Sequence, residues 1–301
     1  MTDVIRTERL AKMYGSRRGL DGLDLEVKAG EIYGFLGPNG SGKTTTIRIL
    51  LDLIRPSAGQ ARVLGESPRD GGPALRRRLG YLAGDFTVDG GQSSRELLTH
   101  LAHLRGGVAE QRIELLADRL DLDLGIRIRS LSKGNRQKVG LVQAFMHEPE
   151  LLILDEPTSG LDPMLQQTFL DLVRAAKASG QTVFMSSHVL SEVQQTADRV
   201  GIIRDGAMVA VESVDALRRR AVRRVEIHFD EPVRPDAFIG LENVLDVVAD
   251  GAVLRCRLAG RADALVKVAA RYPVESLVIE EPDLEELFFT YYQATEASDA
   301  A

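Results

Sequence analysis

The chain is 301 residues long, 44% apolar and 27% charged, with a formal net charge of −6. These values describe an ordinary soluble globular protein of one large domain or two modest ones, and give no support to wholesale binding of nucleic acid or of an acidic membrane. A single cysteine, Cys256, excludes an internal disulfide and a cysteine-built metal cage, which suits a reducing cytosol.

The polar, acid-bearing start Met1–Glu8 does not read as a signal peptide. No apolar stretch approaches the roughly 18 residues that span a bilayer, so work at a membrane requires another chain for the spanning part. Residues 1–35 read as short strands around turns. The apolar run Ile32–Leu36 then leads into Gly37-Pro38-Asn39-Gly40-Ser41-Gly42-Lys43-Thr44-Thr45, and a helical pattern continues to Leu51. This is the phosphate-loop pattern G-x-x-x-x-G-K-[ST] in its strand–loop–helix setting. The glycines let backbone N–H groups turn inward around a polyphosphate, and the positive end of the following helix points at the same place. Lys43 is placed to reach the β- and γ-phosphates, and the Thr44 hydroxyl to hold Mg²⁺. A chance glycine-rich turn would not bring Lys-Thr and a preceding strand with it.

Residues from about 92 to 145 are mostly helical in pattern, clearest over Arg95–Leu104 and Gln111–Leu120. Leu131-Ser132-Lys133-Gly134-Asn135 opens a further helix, with apolar residues at Val139, Leu141, Val142, Phe145 and Met146. A serine hydroxyl, a glycine and free helix N–H groups make an anion site, but a plain Ser N-cap explains the same residues and is favoured on sequence physics alone. Leu151–Leu154 suits a strand buried on both faces of a parallel sheet. It ends in Asp155 and Glu156, at the edge where open α/β sheets bind ligands. Asp155 can hold the Mg²⁺ that Thr44 touches, and Glu156 can polarise an attacking water. An ordinary acidic turn is the alternative, and a preceding phosphate loop makes it the minor one. Helices over Leu165–Ser179 and Leu190–Ala197 alternate with strands over Thr182–Met185 and Val200–Ile203, which argues for a largely parallel sheet. Arg204-Asp205-Gly206-Ala207 is a hairpin turn signal.

The basic cluster Arg218-Arg219-Arg220 with Arg223 and Arg224 marks a junction near residue 221. A solvated helix face accounts for it better than contact with acidic lipid heads. Beyond it Val225–Phe229, Val244–Val248 and Val253–Leu258 look like strands, and Leu254, Cys256 and Leu258 alternate with Arg255 and Arg257 as in a half-exposed antiparallel strand. A helix over Ala262–Tyr272, a strand over Val274–Glu280 and a last helix over Leu284–Tyr292 complete a small α+β accessory domain, able to regulate or to aid dimerisation. Cys256 reads as a core residue, and the tail Ala294–Ala301 as disordered.

From Val4 to Ser213, about two-thirds of the chain, this order of motifs resembles the nucleotide-binding subunits of ATP-binding cassette (ABC) transporters. In that family Walker A corresponds to Gly37–Thr45, Walker B to Leu151–Asp155, the signature to Leu131–Asn135 and the catalytic glutamate to Glu156. The D-loop falls on Ser159-Gly160-Leu161-Asp162 and the switch histidine on His188. Tyr14 sits where the family places an aromatic on adenine. The resemblance implies that His188 bridges γ-phosphate, water and Glu156, although a lone histidine is more often structural. It also implies that Asp162 communicates across a dimer, where its plain role is a turn or N-cap residue. Tyr14 offers a flat face for the adenine ring, against the plain reading of a surface tyrosine.

Leu-Ser-Lys-Gly-x-Arg-Gln-Lys is most similar to bacterial subunits paired with separate type-2 export permeases, and Glu285-Glu286-Leu287-Phe288-Phe289 resembles the terminal helix of many export-type subunits. The implied fold is α/β: a P-loop NTPase (ABC ATPase) core over 1–220 with an antiparallel β subdomain and a helical subdomain at about 86–147. A C-terminal α+β accessory domain over 221–293 and a disordered tail over 294–301 follow. The implied cofactors are ATP and Mg²⁺. The implied partners are a second copy or a related ATPase subunit, head to tail, and a transmembrane permease, with no nucleic acid. Such a subunit is cytoplasmic and peripheral on the inner face of the cell membrane; drug, lipid and polysaccharide export all remain open as cargo, and the family weighting favours drugs or antibiotics.

Two positions depart from the family pattern. Lys133 and Asn135 replace a glycine and the glutamine of Leu-Ser-Gly-Gly-Gln, while Ser132 and Gly134 remain as γ-phosphate contacts. In Gly80–Phe86, which resembles the Q-loop segment, Gly84 stands where the glutamine belongs. Asp85 is the carboxylate able to substitute as a magnesium ligand. Two rival readings are weaker. A soluble ABC ATPase without a permease, in translation or nucleic-acid work, usually carries two cassettes or long coiled coils. A phosphotransfer kinase leaves the signature, D-loop and histidine unexplained.

Overall fold

The computed structural model describes residues 2–88, 90–189, 193–220 (backbone alone over 218–220) and 222–280. The chain divides into two compact units, Met1–Glu212 and Ser213–Ala301. The basic cluster puts the junction near 221; the helix Val214–Arg220 lies between those two positions.

In the first unit, β1 (Asp3–Tyr14), β2 (Arg17–Lys28) and β4 (Ala58–Val63) form an antiparallel sheet in the order β2-β1-β4. The short strands expected here are two twelve-residue strands. Their register shifts between Thr7 and Leu10, where Arg9 adopts φ 45, and such bulges break the two-residue period that would mark one long strand. The second sheet runs β5-β6-β7-β3-β8-β9, from β3 (Ile32–Leu36), β5 (Leu79–Leu82), β6 (Leu151–Asp155), β7 (Thr182–Ser187), β8 (Arg199–Arg204) and β9 (Ala207–Ser213). Its strands from β5 to β8 pair in parallel. Every residue of β3, β6 and β7 is buried, which is why these strands read as continuous apolar runs. Asp205 (φ 49) and Gly206 (φ 85) make the left-handed two-residue turn from β8 to β9.

Helix α1 (Lys43–Leu50) buries Ile47, Ile49 and Leu50 in a core shared by Leu10, Leu20 and Leu23 of the antiparallel sheet and Phe35, Ile153 and Phe184 of the parallel one. Next come α2 (Pro68–Arg77), α3 (Ser94–Leu104), α4 (Glu110–Arg119), α5 (Lys133–Phe145) and α6 (Pro163–Ala178). The start of α3 is set by a capping box in which Ser93 and Glu96 satisfy each other's backbone N–H. Of the expected helix Leu190–Ala197, residues 190–192 lie outside the described residues.

Arg105 and His147 tie α3 and α5 to the start of β5. Arg105 donates to the Leu79 carbonyl at 2.8 Å and lies 2.7 Å from His147 Nε2. Burial, reinforced by this neighbouring cation, lowers the His147 pKa from 6.5 to about 4. Between those two values the unfolded chain takes up a proton that the folded chain refuses. Stability at this group is therefore lost as pH falls through 6.5, and the loss levels off below about 4. Thermal melts across this window should show a falling midpoint, with a shallower slope in His147→Gln; an unchanged slope would remove His147 as the cause.

In the second unit, β10 (Val222–Phe229), β11 (Val244–Asp250), β12 (Val253–Ala259) and β13 (Val274–Glu280) pair antiparallel in the order β11-β12-β10-β13. The helix Asp263–Ala269 precedes β13, and a single turn, Pro235–Ala237, precedes β11. This is the split β-α-β arrangement with its first helix reduced to one turn. Val225, Ile227, Leu254, Cys256 and Leu258 alternate into its core, and burial pushes the Cys256 thiol pKa up. The expected helix Leu284–Tyr292, with Glu285–Phe289, and the tail Ala294–Ala301 lie outside the described residues.

Candidate functional site

Strand β3 lies between β7 and β8, so Gly37 leaves the middle of the sheet at its carboxyl edge. A Cβ on Gly37 would lie 2.6 Å from Ser41 Oγ and closer still to the Ile203 carbonyl, so only glycine fits there. Gly42 caps α1 at φ 114, and a Cβ there would lie 2.7 Å from Leu20 and 2.9 Å from the Gly19 carbonyl. The first-turn N–H groups of α1 have no acceptor within the helix. Ser41 Oγ is likewise buried with no partner among the described residues. Both are what a polyphosphate would satisfy. Lys43 is only 5% exposed. Its Nζ donates to the carbonyls of Gly37 at 2.6 Å and Pro38 at 3.2 Å and lies 3.5 Å from Glu156 Oε1. Burial lowers its pKa, opposed by the charges of Glu156 and Asp155.

Strand β6 delivers the two acids. Asp155 is 3% exposed, and Ser186 Oγ donates to its Oδ1 at 2.6 Å. The Glu156 N–H donates to Ser186 O at 3.2 Å and Oγ at 3.0 Å. Glu156 stands at φ 46, and its Oε2 lies 3.3 Å from His188 Nδ1. Lys43, Glu156 and His188 thus form one chain of charged and polar atoms at the sheet edge. No local sequence pattern marks Ser186; its signal is register, since it pairs with Asp155 across the parallel ladder.

Beside these groups lies a cavity of about 380 Å³. Tyr14 lines it, with Asn39, Gly40, Gly42, the run Lys43–Thr45 and Glu156. Tyr14 is 45% exposed, and Lys12 Nζ stands 5.3 Å from its ring centroid. Three arginines absent from the sequence reading also line it: Arg17, Arg18 and Arg48. Arg17 is the cross-strand neighbour of Tyr14, and Arg48 lies one turn beyond Thr44 and Thr45. With Lys43 they outnumber the one acid in the lining, Glu156, although Arg18 also pairs with Asp21; a cationic lining within a chain of net charge −6 suits a polyphosphate.

The signature and D-loop residues are elsewhere. Ser132, Gly134 and Asp162 do not line the cavity. The exposed Ser132 caps α5 by accepting the Asn135 N–H at 3.2 Å, and Asp162 caps α6 by accepting the Leu165 N–H at 3.0 Å. Gly84 does lie at the acids: a Cβ there would sit 3.2 Å from Asp155 O and 3.6 Å from its Cγ. Asp85 is exposed. The Thr44 hydroxyl and the second Asp155 oxygen are hard oxygen donors that fit Mg²⁺.

The family model described as ABC transporter matches residues 20–159. The bacitracin transport ATP-binding protein BcrA of Bacillus licheniformis is 35% identical over 298 residues, covering 96% of this chain and 97% of its own length. The daunorubicin resistance ATP-binding protein DrrA3 of Streptomyces coeruleorubidus is 35% identical over 298 residues, covering 95% and 94%. A solved ATP binding subunit of an ABC transporter superposes with TM-score 0.67 at 30% identity, over 72% of this chain and 92% of that one. A cassette dimer in a post-hydrolysis state with ADP and Pi shares the fold at TM-score 0.63 and 22% identity, over 70% and 98%. With the phosphate loop, the paired acids and the histidine at one sheet edge, and relatives matching along nearly its whole length, the chain belongs to the ATP-binding proteins of ABC transporters and is an ABC ATPase.

Proposed function

We propose that this ATPase powers export of drug- or antibiotic-like compounds through a separate membrane permease, as a peripheral subunit on the inner face of the cell membrane. Among the described residues no helix is long and apolar enough to cross a membrane. The relatives named for bacitracin transport and daunorubicin resistance support the cargo class. One observation carries the mechanism: Glu156 stands between Lys43 and His188 beside the cavity, while Ser132 and Gly134 of the same chain lie outside it. Two chains arranged head to tail bring Ser132 and Gly134 of one to the phosphate loop of the other.

In this reading Tyr14 stacks on adenine, and the backbone of Gly37–Gly42 with Lys43 and Thr45 cradles the phosphates. Thr44 and Asp155 would hold Mg²⁺, which would neutralise phosphate charge there, with Asp85, exposed in the Gly84 loop, as the further carboxylate ligand. Glu156 draws a proton from the attacking water, with His188 fixing the carboxylate from its other side. Asp162 faces the partner chain. The experiment is affinity purification of the full chain from detergent-solubilised membranes, with phosphate release assayed alongside. A multi-span membrane protein should co-purify, and the phosphate should go to water. A soluble nucleic-acid or ribosomal partner instead, or transfer to an organic acceptor, would overturn the proposal.

A further inference from the structure

Helix α5 reaches the acids from behind. Its Gln137, 4% exposed, donates from Nε2 to the Pro157 carbonyl at 3.1 Å. Pro157 directly follows Glu156, whose left-handed backbone is uncommon for a residue with a side chain and persists only where neighbours hold it. On one side the Glu156 N–H is held by Ser186 O and Oγ. On the other, Ser159 N–H donates to the Glu156 carbonyl at 3.1 Å, and Gln137 takes the next carbonyl. Proline has no N–H, so that carbonyl is the only backbone polar group of a buried residue. One turn before Gln137, a Cβ on Gly134 would sit 3.2 Å from the Gly160 carbonyl. The first half of α5 and the segment 157–160 are therefore fitted together at two places.

We infer that Gln137 is a positioning residue for ATP hydrolysis. Through the Pro157 carbonyl it fixes the turn that aims Glu156 between Lys43 and His188, and it links that aim to the helix bearing Ser132 and Gly134. This rests on the proposed role of Glu156 in activating water. A carboxamide suits the task because it donates without bringing charge into a buried site. A carboxylate of the same shape cannot donate and would turn an anionic oxygen towards a carbonyl oxygen. Small displacements of a reacting group cost rate steeply while leaving ground-state binding intact.

The test compares Gln137→Met, which keeps volume and loses the donor, with Gln143→Met. The latter removes another buried carboxamide bond of α5, from Gln143 Nε2 to the Tyr81 carbonyl. In the full chain, Gln137→Met should lower kcat on the order of 10-fold or more with ATP affinity unchanged. Gln143→Met should lower the melting temperature comparably and keep kcat within about 2-fold of the parent. If the methionine variant at 137 does not fold, the isosteric Gln137→Glu takes its place with the same expectation. An unchanged kcat at 137, or an equal fall in both methionine variants, overturns the inference. In a Glu156→Gln background, Gln137→Met should add no further loss; an additive loss would mean that Gln137 acts by another route. A Glu156→Gln variant with parental turnover would instead remove the role assigned to Glu156, whatever Gln137 does.

Discussion

Lys43→Ala should lose ATP hydrolysis and most ATP binding. The ammonium is buried, is fixed by the Gly37 and Pro38 carbonyls, and faces Glu156 across 3.5 Å. Burial makes that charge costly, and the partners on the loop and at the acids offset the cost. A triphosphate would exchange those modest partners for charged oxygens. One charge-assisted hydrogen bond contributes about 1.5–3 kcal/mol, so loss of the lysine should weaken binding roughly 10- to 100-fold. Titration calorimetry with ATP measures this directly, and a melting curve without nucleotide shows whether the loop still folds. An affinity close to that of the parent would remove Lys43 from phosphate binding and move the weight to Arg17, Arg18 and Arg48.

How far the site could be read in advance depended on how locally each part is encoded. The phosphate loop is contiguous, and its glycines meet steric demands, at Gly37 and Gly42, that only glycine satisfies. Leu151–Asp155 was legible because a strand buried on both faces has to be apolar throughout. Ser186 was hidden, since its partnership with Asp155 exists only once β6 and β7 are in register. The three arginines were hidden for a similar reason: a hairpin and a helix far apart in the chain bring them to one cavity. The long bulged β1 has the sequence pattern of short strands because each register shift resets the alternation. Ser132 and Asp162 show the opposite difficulty. Their capping roles, read as the plain alternatives, are what one chain displays, and a dimer role makes further use of residues already occupied locally.

Glu156→Gln separates binding from chemistry. The substitution keeps the shape of the side chain but removes the charge facing Lys43 at 3.5 Å and His188 at 3.3 Å. It also removes a negative charge from the side of a cavity meant for an anion, so ATP affinity should hold or rise. A neutral carboxamide cannot take the proton of the attacking water, and loss of a general base costs on the order of 10²- to 10⁴-fold in rate. ATP that binds and is not consumed should hold two chains closed head to tail. Size-exclusion chromatography with light scattering should then show a monomer that becomes a dimer only with Mg-ATP, and Ser132→Arg added to the same chain should abolish the shift. A dimer present without nucleotide would place the association in the second unit. A monomer under all conditions would remove the self-sufficient composite site and make the permease, or a different ATPase subunit, the agent that assembles it. Hydrolysis at the parental rate would remove Glu156 as the base.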